Sequence, residues 1–356
     1  MKGAPILMAR PARLSVAACI LAMLLLGAPI PRLSAEPVPG ALTTAGDINA
    51  ERQTELSETL KENYRSMRAV VVLRGDLPVF EYYRHGTNPD DLLPVHSVTK
   101  SVMSILVGIA LGQTAFNSLD QHLGELLPEA LAPGVDPRVR EITIRHLLTM
   151  SSGFNPASIG ALPPSARLWA WSLHRPMLDA PGRQFNYDNR ASHLLSVVLA
   201  RAIRQDPRGF AQQYLFGPLG IENYAWLLDD EGNLQGSSGL SLTARDMAKI
   251  GSLFLRSGRW KGMQLVPETY VTEATQQHNH GGSPVRAADY GYLWWITRPS
   301  EETAAYFAAG YGGQLIYVVP ARDLVIVIAG DSSGAGGRRL INQTILPAVR
   351  MQTAPK

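Results

Sequence analysis

The stretch that most constrains the fold is residues 96–110, HSVTKSVMSILVGIA, in which a serine and a lysine open a long apolar run. No helix breaker interrupts the run before Gly108, so it predicts a helix. Ser97 and Lys100 then lie about one turn apart on one face of the helix N-terminus. Free backbone N–H groups and the helix dipole favour negative charge there. Because a serine nucleophile needs a nearby base and such an environment, the pair is a candidate catalytic site.

A simpler interpretation of the same residues is structural. Ser97 would only cap the helix, and Lys100 would be a solvated residue of its first turn. The helix dipole does not favour a lysine at that position, which counts against this interpretation.

The N-terminal 35 residues have the parts of a secretory signal. Basic residues precede an apolar run at residues 14–26, and the small-residue sequence Leu-Ser-Ala at 33–35 follows. The run is short for a membrane span, so we expect cleavage and export to the periplasm or the exterior, without stable membrane insertion. An uncleaved N-terminal anchor is the alternative. Cys19, the only cysteine, lies in this segment, so the mature chain would have no disulfide or cysteine nucleophile.

The net charge of +3 comes from the same segment. Without Lys2, Arg10, Arg13 and Arg32, the chain has 29 basic and 30 acidic side chains. This balance gives no electrostatic reason to expect nucleic acid as a partner.

Strand patterns lie at both ends of the chain. Residues 69–74 and 79–84 predict an antiparallel hairpin, and strand patterns return at 292–296, 315–319 and 324–329. The residues between are mainly helical in pattern. We therefore predict an α+β fold, with an antiparallel β-sheet formed from N- and C-terminal strands, flanked by helices, and an inserted all-α lobe. The expected divisions are a signal peptide at 1–35 and one domain at 36–356, with an α/β lobe at about 47–115 and 271–350 and a helical lobe at about 116–270.

A second group of polar residues lies in the turn-rich loop at 181–189, PGRQFNYDN. Tyr187 is a candidate general base if a neighbouring ammonium such as Lys100 lowers its pKa. Asn189 offers both a donor and an acceptor to a substrate amide and to the lysine. Alternatively, Asp188 or Asn189 only caps the following helix while Tyr187 packs.

The third candidate is the glycine-rich run at 309–314, AGYGGQ, before the strand at 315. Glycines there allow a substrate backbone to approach the strand edge, and a backbone N–H of that edge can serve as half of an oxyanion hole. We expect Tyr311, Gly312 and Gly313 to contact the substrate. The alternative is an ordinary β-turn.

Two further sets of residues bear on ligand binding. Trp169 and Trp171 are candidates to line an apolar pocket for an acyl or linear-amide group, although tryptophans more often pack in the core. His278 and His280 have no carboxylate at helical spacing, so we expect neither a metal site nor a cofactor.

The order of these motifs resembles the serine β-lactamase and penicillin-binding-protein superfamily, in its class C-like branch. That branch includes family VIII esterases and 6-aminohexanoate-dimer hydrolases. The resemblance rests on three motifs: Ser97-x-x-Lys100, Tyr187-x-Asn189 and the glycine-rich run before a C-terminal strand. The sequences IRHLLTMSSG at 144–153 and GLSLTARDM at 239–247 are also similar to the family.

The resemblance implies a β-lactamase/transpeptidase-like fold and a role for each residue. Ser97 would be the acylated nucleophile, and Lys100 and Tyr187 would move protons to the leaving group and activate water. Asn189 would orient Lys100 and the substrate carbonyl. The backbone N–H groups of Ser97 and Gln314 would form the oxyanion hole. A buried amine and a phenol beside a cation both lose their protons more easily, so both pKa values are expected near working pH.

One departure from the superfamily bears on the substrate. β-Lactamases and DD-peptidases usually have Lys-Thr-Gly at the third motif, whereas this chain has Tyr311-Gly312-Gly313. We therefore expect an exported serine hydrolase that cleaves a small-molecule ester or amide, most like the 6-aminohexanoate-dimer-hydrolase group. The alternatives are a β-lactamase or DD-peptidase that acts on peptidoglycan-like substrates, and a non-catalytic binder of peptidoglycan or β-lactams.

Overall fold

The computed structural model describes residues 48–156, 168–298, 303–331 and 336–349. The expected signal segment at 1–35 lies outside the described residues. Among the described ranges, no helix combines the length and apolar character needed to cross a bilayer.

An antiparallel sheet of seven strands is formed by the two ends of the chain. Its order is β2-β1-β12-β11-β10-β9-β8, so strands from the N-terminal part pair directly with strands from the C-terminal part. The α+β fold predicted from the sequence is confirmed. The strands are β1 (Met67–Arg74), β2 (Leu77–Tyr83), β3 (Leu93–Pro94), β4 (Ala225–Trp226), β5 (Leu240–Leu242), β6 (Arg259–Trp260), β7 (Met263–Gln264), β8 (Ala288–Tyr290), β9 (Trp295–Thr297), β10 (Tyr306–Gly310), β11 (Gln314–Val319) and β12 (Leu324–Gly330).

Helices make up most of the chain between the two groups of strands. Short 3₁₀ segments occur at Pro128–Leu131, Pro137–Glu141 and Pro320–Arg322, and π-helical turns at Gln212–Phe216 and Ile341–Ile345. The α-helices are α1 (Ala50–Asn63), α2 (Val98–Gly112), α3 (Leu123–Leu126), α4 (Ile144–Leu148), α5 (Leu168–Ser172), α6 (Asn189–Ile203), α7 (Pro207–Ala211), α8 (Gly217–Leu219), α9 (Ala244–Leu255), α10 (Glu268–Ala274), α11 (Gly337–Leu340) and α12 (Leu346–Ala348).

Helix α2 is the buried centre of the molecule, since every residue from 98 to 110 is buried. Its small polar side chains are satisfied inside the protein. The hydroxyl of Ser101 donates to the carbonyl of Leu293 at 2.6 Å, and the Ser104 and Tyr270 hydroxyls lie 3.0 Å apart. Burial of such groups costs little when they are hydrogen-bonded. The helix that carries the Ser97/Lys100 pair is therefore buried and hydrogen-bonded to other parts of the protein.

Helix α9 packs on the sheet at β11 and β12. A Cβ on Gly251 would overlap the side chains of Val325 and Ile316, so the helix approaches the strands as closely as a glycine permits. This helix lies on the sheet, although the sequence pattern placed it in the range expected for the helical lobe. The described part of that range, 116–270, contributes no strand to the seven-stranded sheet.

The strand predicted at 292–296 begins later than expected, at Trp295. Leu293 has a left-handed backbone with φ of 59°, and its N–H donates to the carbonyl of Leu148 at 2.9 Å. This contact turns the chain before the strand can start.

Candidate active site

Ser97 lies at the N-terminus of α2, directly after a sharp turn. His96 has a left-handed backbone with φ of 49°, and the N–H of Val98 donates to the carbonyl of Val95 at 3.1 Å. Ser97 occupies the N-cap position, but its side chain makes no capping hydrogen bond. Its hydroxyl is instead directed to Lys100, so the capping interpretation does not describe it.

Lys100 is buried beside Ser97, with its Nζ 3.0 Å from Ser97 Oγ and 2.6 Å from the carbonyl oxygen of Ser237. Only 1% of the residue is exposed. Burial lowers the pKa of Lys100 from its ordinary 10.5 to about 7, against the opposing charge of Asp188. Desolvation disfavours the charged form of an amine, so a large fraction of Lys100 is a neutral base at neutral pH. The interpretation of Lys100 as a solvated residue is wrong.

Tyr187 also lies near the amine, with Lys100 Nζ 5.0 Å from the centre of its ring. The ring is stacked on Trp295, with centroids 6.0 Å apart and planes at 21°. Burial raises the pKa of Tyr187 to about 12, and hydrogen bonding with Ser97 only partly opposes this effect. The expectation of a lowered pKa for Tyr187 is therefore wrong, because burial dominates and the amine nearby is itself not a permanent cation. Tyr187 is protonated at neutral pH.

The loop that carries Tyr187 is anchored by an ion pair between Arg175 and Asp188. The two groups are 2.7 Å apart, and their side chains are only 2% and 1% exposed. Asp188 also caps α6 by accepting a hydrogen bond from the N–H of Arg190 at 2.9 Å. The loop is further held where the N–H of Asn186 donates to the carbonyl of Met150 at 2.7 Å. The capping interpretation thus describes Asp188, while Tyr187 stays at the site.

Asn189 is the first residue of α6, and its side chain is exposed. Within the described residues it makes no hydrogen bond to Lys100; the lysine is bound by the Ser237 carbonyl instead. Sequence reasoning missed Ser237, because a backbone carbonyl leaves no mark in the residue types. It also missed Arg175, which no motif points to.

Ser97 and Gln314, the two residues expected to supply the oxyanion hole, both lie close to Gly310. A Cβ on Gly310 would lie 3.1 Å from the Cβ of Gln314 and 3.2 Å from the backbone nitrogen of Ser97. Gln314 is paired with Gly310 across the turn between β10 and β11. Its buried side chain donates to the carbonyl of Gly330 at 2.7 Å, which fixes the start of the strand beside the nucleophile.

Gly310→Ala is expected to destabilise the protein, because its Cβ would overlap the backbone carbonyl oxygen of Val95. A backbone atom cannot move aside as a flexible side chain can, so we expect a loss of about 1–3 kcal/mol in the free energy of unfolding. Denaturant unfolding of the variant and the wild type measures this loss. Gly336→Ala is a matched control, since its Cβ would meet only ordinary contacts, the nearest at 3.4 Å, on a backbone with φ of −88°. Equal stability of the two variants would contradict the prediction.

The remaining residues of the third motif form the turn between β10 and β11. Gly312 and Gly313 have φ of 81° and 86°, a conformation that favours glycine. Tyr311 is 70% exposed, and its ring lies edge-on to His96 with centroids 5.7 Å apart. The motif is thus a β-turn that also places an aromatic side chain next to the residue before Ser97.

The two tryptophans proposed for a pocket differ in their surroundings. Trp169 is 3% exposed and belongs to the hydrophobic core, as the alternative interpretation states. Trp171 is 54% exposed, and the guanidinium of Arg190 lies 5.5 Å from its ring centre. Trp295, by contrast, stacks on Tyr187.

Comparison with known proteins agrees with this geometry. The Beta-lactamase family matches residues 52–349. A relative named 6-aminohexanoate-dimer hydrolase, from Paenarthrobacter ureafaciens, is 26% identical over 328 residues, covering 83% of this chain and 79% of the relative.

Two solved structures show the same fold. EstCE1, described as a hydrolase with promiscuous acyltransferase activity, superposes with a TM-score of 0.68 at 17% identity, covering 84% of this chain and 98% of its own. A penicillin-binding-protein homologue from Caulobacter crescentus superposes with a TM-score of 0.69 at 15% identity, covering 84% of this chain and 97% of its own. With a buried Ser–Lys pair at the start of a central helix and a family match over most of its length, the chain belongs to the Beta-lactamase family and is a serine hydrolase.

Proposed function

We propose that this hydrolase cleaves a small ester or amide through an acyl-enzyme on Ser97. The observation that carries the proposal is the buried Lys100 amine, 3.0 Å from Ser97 Oγ and with a pKa of about 7. A base of this pKa is well matched to work near neutral pH.

In the proposed mechanism, neutral Lys100 accepts the proton of Ser97 as Oγ attacks the substrate carbonyl carbon. The backbone N–H groups of Ser97 and Gln314 stabilise the negative oxygen that develops. Tyr187, protonated because its pKa is about 12, donates its proton to the leaving group and regains one from the Lys100 ammonium. A water molecule then attacks the acyl-enzyme as Lys100 accepts its proton, and Ser97 Oγ leaves with a proton returned by the same pair.

The proposed substrate class rests on the third motif. At this motif the exposed Tyr311 packs against His96, the residue before the nucleophile, and carries no positive charge. An uncharged aromatic surface favours an apolar acyl or alkyl chain over a substrate carboxylate. The names of the Paenarthrobacter relative and of EstCE1 are consistent with linear amides and with acyl transfer, respectively.

We also propose that the protein is exported. The support is the basic, apolar and small-residue pattern of residues 1–35.

A substrate panel tests the proposed function. We expect turnover of p-nitrophenyl butyrate or of a linear aminohexanoate amide to exceed that of nitrocefin and of a D-alanyl-D-alanine peptide by about 10²-fold in kcat/KM, since a third motif without a lysine supplies no cation to pair with the substrate carboxylate. The measurement is kcat/KM for each substrate with the same preparation. Turnover of nitrocefin or of the peptide alone would favour the β-lactamase or DD-peptidase alternative, and would contradict the proposal.

A further inference from the structure

The segment that supplies the Ser237 carbonyl to Lys100 is attached to helix α6 by side chains outside the motifs. The hydroxyl of Ser196 donates to the carbonyl of Leu234 at 2.6 Å, and the N–H of Gly236 donates to Nδ1 of His193 at 3.3 Å. A Cβ on Gly236 would lie 2.7 Å from the carbonyl oxygen of Ser192. The segment therefore lies directly on the helix just before it reaches Lys100.

His193 is held in turn by Asp229, whose Oδ2 lies 3.1 Å from His193 Nε2. Oδ1 of Asp229 accepts hydrogen bonds from the N–H groups of Glu231 and Asn233 at 2.9 and 2.8 Å. Burial would raise the pKa of Asp229, but hydrogen bonds from His193 and Asn233 outweigh burial and lower it to about 2. Because the carboxylate only accepts, the proton of a neutral His193 is on Nε2, which leaves Nδ1 free to accept from Gly236.

We propose that His193 is a positioning residue for the hydrolysis proposed above. Through Gly236, it holds the Ser237 carbonyl 2.6 Å from Lys100 Nζ. The carbonyl and Ser97 Oγ are the two hydrogen-bond partners of the amine among the described residues, so they fix where its lone pair and protons point. The inference rests on the proposed function, since it gives His193 the role of positioning Lys100, the base of that reaction.

The contact between this segment and α6 also excludes water from the Lys100 amine. Burial is the cause of its lowered pKa, and the charge of Asp188 opposes this effect. If the segment at 229–237 separates from α6, water reaches the amine, and the pKa of Lys100 rises toward its ordinary value. The loss of His193 then changes the pH dependence of catalysis as well as its rate.

Two substitutions separate the roles of the two nitrogen atoms of His193. In His193→Asn, the amide oxygen can take the place of Nδ1 and still accept from Gly236. In His193→Gln, the amide nitrogen can take the place of Nε2 and still donate to Asp229, but the Gly236 contact is lost. We expect His193→Gln to lower kcat by about tenfold or more, with KM within about twofold, since small misplacements of a catalytic group are costly. The acid limb of kcat/KM should move to higher pH.

His193→Asn is expected to retain most of the activity, and the acid limb of its kcat/KM profile should lie at the wild-type pH. His280→Gln is the matched control, since the His280 side chain is 86% exposed, and it should behave as wild type. Three outcomes would overturn the inference: unchanged kcat in His193→Gln, a change in KM alone, or equal losses in the Asn and Gln variants, which would indicate a merely structural histidine.

Hydrogen exchange of residues 229–239 provides a readout that needs no substrate. Faster exchange in His193→Gln than in His193→Asn and wild type is expected, and equal exchange in all three would overturn the proposed contact. If wild type turns over none of the esters and amides, the proposed function fails, while this measurement still decides whether His193 holds the segment.

Discussion

Ser97→Ala is expected to lower kcat/KM for an activated ester by about 10⁴-fold or more, because the acyl-enzyme cannot form without its oxygen. The residual rate would come from the oxyanion hole and substrate binding alone. The loss should fall on kcat, since Ser97 does not contribute to binding the ground state more than an alanine would. Steady-state kinetics with a p-nitrophenyl ester measure it, and intact mass after a brief reaction shows an acyl adduct on the wild type only.

Ser57→Ala is the matched control, since the Ser57 hydroxyl donates to the carbonyl of Gln53 within helix α1. It should be as active as wild type. An acyl adduct on another residue, or retained turnover in Ser97→Ala with an unchanged thermal unfolding curve, would contradict the assignment of the nucleophile.

Lys100→Met is expected to lower kcat/KM by about 10³-fold, the size of a typical general-base contribution. Methionine fills the same buried space but cannot accept the proton of Ser97. In the wild type, kcat/KM should rise with pH and level off above about 7, as the amine of Lys100 loses its proton. The variant should lack this limb. Tyr187, with a pKa of about 12, adds no alkaline limb in the neutral range.

The pH profiles of Lys100→Met and Lys61→Met provide the test. Lys61 is an exposed lysine that pairs with Glu58 at 3.4 Å, and its loss should leave both the rate and the limb unchanged. Lys100→Arg adds a second comparison, because arginine restores a positive charge without restoring a base. An acid limb that persists in Lys100→Met would assign it to another group and contradict the role of Lys100.

The parts of the site that were predictable from sequence are the local ones. A spacing of three residues on a helix brings Ser97 and Lys100 together whatever the rest of the chain does, and the structure has them 3.0 Å apart. The α+β fold followed from strand patterns at both ends of the chain. Residue type and a turn-rich loop make Tyr187 a candidate base, but nothing in its own loop identifies its neighbour, so the family resemblance was needed to assign it a place beside Lys100.

The parts that were not predictable depend on distant contacts. The second hydrogen-bond partner of Lys100 is a backbone carbonyl 137 residues away, and a carbonyl is common to all residue types. Charge alone predicts a lowered pKa for Tyr187, whereas burial of the ring, which is stacked on the distant Trp295, raises it. Asn189 shows the same limit, since its place in the motif does not determine whether its side chain turns toward Lys100 or toward solvent.

The burial of Lys100 also links catalysis to the thermodynamics of folding. In the unfolded chain the amine regains a pKa near its ordinary 10.5, whereas in the folded chain the pKa is about 7. Between these two values the unfolded state binds more protons than the folded state, so the stability of the fold increases with pH across this window. The free-energy cost of burying the Lys100 ammonium is fully present below about pH 7 and disappears above the ordinary pKa of a lysine. The property that makes Lys100 a base therefore makes the folded chain less stable at neutral pH than an apolar residue in its place would.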